Sequence, residues 1–87
     1  MRFTVVWKRE ARDQLAEIWL ASDNRNGVSN AANEIDRWLR NDPEQKGESR
    51  SGNDRIVMVP PLAVVFSVHE EDRIVRILSV VVANLPD

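Results

Sequence analysis

The spacing of apolar residues changes along this chain, and the change divides it. Phe3 to Trp7 is a short aromatic and β-branched run that predicts a strand. From about Lys8 the apolar positions recur every three or four residues. Ala11, Leu15, Ile18, Trp19 and Ser22 mark one face of a predicted helix. The cluster SDNRNG breaks the chain and offers a cap for the next helix. In that second helix Val28, Ala31, Ala32, Ile35, Trp38 and Leu39 make a continuous stripe. Asp42-Pro43 ends it, because the pre-proline residue is pushed out of the α region. Residues 43–54 are polar and predict a mobile loop with no apolar residue to pin it. From Arg55 the period falls to two, in the runs RIVMV, LAVVFSV and RIVRILSVVV, separated by PP and HEED. Three such runs with short breaks predict an antiparallel meander.

These elements predict a single α+β domain over residues 1–87. An N-terminal strand and an antiparallel helical hairpin precede the meander, and the helices pack on one face of the sheet. The first strand is expected beside the last, making four strands. Along the middle run Leu62, Val64, Phe66 and Val68 fall on one side, and Ala63, Val65, Ser67 and His69 on the other. The bulkier set is expected under the helices. In the last run Val75, Ile77 and Val81 alternate with Ile74, Arg76, Leu78, Val80 and Val82, so both of its faces are largely apolar. That pattern hints at a second contact surface. The three tryptophans, at 7, 19 and 38, all lie on apolar faces and are expected in the core. Pro60-Pro61 predicts either a loop wider than two residues or a cis bond in a type VI turn.

Composition narrows the chemistry. The chain has no cysteine and one histidine, which excludes a disulfide framework and leaves no zinc-ligand spacing. Fourteen acids against twelve bases give a net charge of −2, whereas a nucleic-acid binder normally shows a basic excess. No apolar run is long enough to cross a membrane. The start MRFTVVWKRE predicts no signal peptide, so a cytoplasmic location is expected. His69, beside Glu70, Glu71 and Asp72, reads as a turn residue rather than a catalytic base. No Gly-rich phosphate loop or nucleophilic triad is visible.

Over nearly its whole length the chain resembles the RelE/ParE toxin superfamily of bacterial type II toxin–antitoxin pairs. The segments that carry the resemblance are VVWKREARDQLAEIW, AANEIDRWLRNDPEQKGESR and RIVMVPPLAVVFSVHEEDRIVRILSV. It implies a cognate antitoxin as protein partner, no cofactor, and a target that is either ribosome-bound mRNA or DNA gyrase. In the ribonucleases of this superfamily, basic side chains on the open sheet face hold the scissile phosphate, assisted by a tyrosine or histidine. Here the arginine of the family's Y-R-V-x-Y segment falls on Ala63 and its aromatics on Leu62 and Phe66, and the chain contains no tyrosine. The resemblance therefore carries over only Arg55 as a catalytic candidate, with Arg50 as its neighbour. Weak or absent ribonuclease activity is expected, since transition-state charge would lack a partner. The alternative is a catalytically silent interaction module on the same fold. Either way Ala63, Val65 and Leu78, expected on the face away from the helices, are candidate contacts for a protein partner, by hypothesis an antitoxin tail or a second copy of the chain.

Overall fold

The structure is a computed structural model that describes residues 2–41, 43, 48–49 and 54–83. Strand β1 (Thr4–Trp7) leads into helix α1 (Arg9–Ala21) and helix α2 (Arg25–Asn41). Strands β2 (Glu48–Ser49), β3 (Asp54–Val59), β4 (Leu62–His69) and β5 (Ile74–Val82) follow. The sheet order is β1-β5-β4-β3-β2, with β1 parallel to β5 and the other pairs antiparallel. The first strand thus sits beside the last, as the sequence predicts.

The fifth strand lies inside the stretch expected to be only a loop. Glu48 and Ser49 pair with Ile56 and Arg55. Pro43, at the start of that stretch, has a fully buried side chain, so the connection is pinned by an apolar residue after all.

Helix α2 begins earlier than its apolar stripe. Asn24 Oδ1 accepts a hydrogen bond from Gly27 N at 3.1 Å, an N-cap that starts the helix at Arg25. A Cβ at position 27 would lie 2.5 Å from Asn24 Nδ2, so glycine is what lets the cap close. Its stripe then buries Val28, Ala31, Ile35 and Leu39. Helix α1 buries Ala11 fully and leans Leu15 and Ile18 on the same core. Arg25 adds to the C-terminal cap of α1, where Ser22 N already donates to Trp19 O at 3.3 Å. Its guanidinium donates to Trp19 O and Leu20 O at 3.2 and 3.1 Å.

Under the helices, Leu62, Val64 and Phe66 of β4 are fully buried, as the alternation predicts. Strand β5 departs from it. Val65 pairs with Ser79 but Phe66 pairs with Ile77, so Leu78 is an extra residue, a β-bulge. Beyond the bulge the alternation is reversed. Val80 joins Val75 and Ile77 in the core, and Val81, expected with them, is 53% exposed on the other side. The doubly apolar look of the last run thus arises partly because a single apolar face is written across a bulge. Val80 N donates to Gln14 Oε1 of α1 at 2.8 Å, which ties the helix to the strand just past the bulge.

The tryptophans divide. Trp7 and Trp38 are half-buried and pack against the core, but Trp19 is exposed on the outer side of α1, because that helix turns a second stripe toward α2. The Pro60–Pro61 bond is cis and closes the β3–β4 hairpin between Val59 and Leu62. No described helix is long and apolar enough to cross a membrane.

Candidate functional site

Two surfaces remain after the core is assembled. The first is the sheet face turned away from the helices. Register arranges its side chains in rows, because directly paired residues point the same way. One row holds Val6, Arg76, Ser67 and Asp54, and the next holds Ser79, Val65 and Ile56. The row nearest the cis-proline turn holds Val81, Ala63 and Met58. The face is therefore polar toward the β4–β5 turn and apolar toward the β3–β4 turn.

Its polar end gathers residues far apart in sequence. Ser67 Oγ and His69 Nε2 share a hydrogen bond of 3.1 Å, and Ser67 stands between Arg76 and Asp54. His69 closes β4 rather than lying in the turn, which spans Glu70 to Arg73. Neither Arg76 nor Asp54 makes an ion pair among the described residues. Arg73, at φ 55°, leaves this face and stacks its guanidinium 5.5 Å from the Phe3 ring. Among the described residues no three metal-ligating side chains come together.

The candidate residues from the sequence are placed as follows. Arg55 pairs with Phe66 and Ser49, which puts it in the row of the helix-side core and not on the open face. Arg50 lies outside the described residues. Val65 is on the open face and half-buried. Ala63 is on that face too but only 3% exposed, because Met58 and Val81 flank it. Leu78 is the half-buried extra residue of the bulge, without a partner on β4. The exposed apolar atoms of this face therefore belong chiefly to Met58, Val81 and Val6, which alternation alone did not single out. The Ser67–His69 pairing was readable as two polar residues two apart on one strand.

The second surface is an open groove of about 570 Å³ between the outer sides of α1 and α2. Arg12, Ala16, Trp19 and Leu20 form one wall, and Ser29 and Ala32 belong to the other. Leu20 is 63% exposed and Trp19 38%. The Arg25 guanidinium lies 4.6 Å from the Trp19 ring centroid, so the groove ends at a cation. Among the described residues its lining includes Arg12 and no acid. The signal for it was the pairing Leu15-Ala16 with Trp19-Leu20, a wider apolar stripe than one buried face needs.

No protein-family model matches the sequence, and no curated protein matches it significantly. Solved structures do. The chain is similar to a chain of the toxin–antitoxin complex RelBE2 from Mycobacterium tuberculosis, at 20% identity and a TM-score of 0.74, over 94% of this chain and 99% of that one. It is similar to a chain of the chromosomal ParDE toxin–antitoxin system of Pseudomonas aeruginosa, at 16% identity and a TM-score of 0.67, over 95% and 98%. A third similarity is to TrmO from Pseudomonas aeruginosa, at 26% identity and a TM-score of 0.63, over 92% of this chain but 35% of that one. The fold is that of the RelE/ParE toxins.

Proposed function

We propose, from the premise of a RelE/ParE toxin fold, that this chain is the toxin-side partner of a cytoplasmic toxin–antitoxin pair. The observation that carries the proposal is the groove between α1 and α2, an apolar trough that the described residues leave uncovered. A trough with Trp19 and Leu20 exposed, Arg12 and Arg25 beside them and no acid in its lining suits an amphipathic helix bearing acidic residues. That occupant is the antitoxin segment. Solved structures of the same fold are of toxin–antitoxin complexes, which supports the choice.

The target divides between ribosome-bound mRNA and gyrase. For mRNA cleavage the open face would have to stabilise a pentavalent phosphate, and among the described residues it offers one exposed arginine opposite an acid two strands away. Arg55, in the row of Phe66, is not used in this reading. Purified protein added to translating ribosomes is expected to leave mRNA uncut, and efficient codon-specific cleavage would reverse that. The reading favours a target inhibited by binding, such as gyrase. The occurrence of the fold within the longer TrmO chain keeps the second reading, a silent interaction module, in play.

Expression from a tight promoter tests the proposal. Induction alone should arrest growth of a bacterial host. Co-expression of a small protein encoded beside it should relieve the arrest and co-purify with the chain. Leu20→Glu in the chain should abolish both relief and co-purification while leaving the arrest intact. Normal growth on induction, with no co-purifying neighbour, would favour the module.

A further inference from the structure

Two charges of the open face, unpaired among the described residues, flank β4 from either side. Arg76 on β5 and Asp54 on β3 are both cross-strand neighbours of Ser67. Each stands one strand spacing, about 4.8 Å, from β4. Nearer the cis-proline turn, Met58 on β3 and Val81 on β5 flank Ala63 in the same manner. Their exposures, 49% and 53%, are nearly equal. Val65, half-buried on β4, lies between the two rows.

We propose that this face is an interface between two copies of the chain, related by a two-fold axis that runs along β4 midway between two facing sheets. An isologous contact requires a surface complementary to itself. Rotation about that axis keeps every row and exchanges β3 for β5. Arg76 of each copy then meets Asp54 of the other, and Met58 of each meets Val81 of the other. Val65 meets its own counterpart. The strands of the two sheets run aligned, the common class of face-to-face packing, about 10 Å apart. An arginine and a methionine are long enough to close that gap from either side. The opposite signs of the two charges that flank Ser67 are what make this face complementary to itself. The inference is independent of the antitoxin reading, because the groove between α1 and α2 lies on the opposite side of the molecule.

The patch is small, so the dimer forms in the micromolar range or above. Light scattering on the purified full chain, across a concentration series, should show the mass climbing from 10.0 kDa toward twice that value. Added salt should move the transition to higher concentration. Arg76→Glu sets acid against acid, and Asp54→Arg sets cation against cation. Each should weaken the dimer at least about tenfold, with melting curves confirming that the variants fold. The double variant restores opposite charges across the axis and should recover most of the affinity. Val65→Cys, in a chain with no native cysteine, should be joined to its counterpart by a short bis-maleimide, whereas Glu10→Cys on the exposed side of α1 should not. A mass of 10.0 kDa at every concentration would overturn the proposal and leave the face to another chain. So would a dimer that both single variants leave intact, a folded double variant that does not recover, or equal cross-linking at the two cysteines.

Discussion

The two faces of the sheet are built from much the same residues and have opposite fates. On the helix side Leu62, Val64, Phe66, Val75 and Ile77 are sealed. On the other side Ile56, Met58, Val65 and Val81 are as apolar, yet Met58 and Val81 keep about half their surface exposed. What separates the faces is the covering element and not the hydrophobicity of the strands. A helical hairpin with one strong stripe covers one face of a sheet and no more.

Truncation should show the contrast at its largest under the helices. Phe66→Ala removes a fully buried ring and should cost about 3–5 kcal/mol, much of the stability of a domain this size. Denaturant unfolding reads it directly, and a loss below 1 kcal/mol would mean that the sealed face is not the core. Trp38, expected in the core but only half-buried, sharpens the gradient. Trp38→Ala should cost roughly 1.5–3 kcal/mol. Gln14→Ala tests the tie between helix and sheet by leaving Val80 N without its acceptor. A loss of about 1–3 kcal/mol is expected. Gln14→Glu, which keeps an oxygen in place, should recover most of it; equal losses in the two variants would show that the bond contributes little. Smallest of all, Met58→Asp on the uncovered side should change the melting point of the dilute protein by an amount equivalent to at most about 0.5 kcal/mol. A collapse of the fold there would erase the distinction between the faces.

Much of this was legible in the sequence because it rests on period. The stripe Val28–Leu39 and the alternation Leu62–Phe66 each specify a face, and both faces are found buried. The adjacency of the first and last strands was expected too, and it is found. Period fails where one residue is added without a local mark. Nothing in RILSVVV announces that Leu78 is a bulge, so Val80 and Val81 were expected on each other's sides. Trp19 was hidden for a different reason. A helix can carry two apolar stripes, and only the neighbouring helix decides which of them is closed. The carry-over of Arg55 rested on residue type alone, and a matching residue type says nothing about strand parity. Its partner across the ladder is Phe66.

The strand order has a further consequence, for how the molecule is made. Among the described strands β1 has one sheet neighbour, β5, which is made after all the others. Gln14 likewise waits for Val80, a partner 66 residues further on. The first half of the polypeptide therefore emerges with its apolar stripes prepared and nothing to lay them on. Folding has to wait until β5 has been made, and closing such distant pairs is slow relative to local contacts. A ribosome stalled anywhere before Ile74 would hold a nascent chain that lacks the strand on which β1 and α1 come to rest.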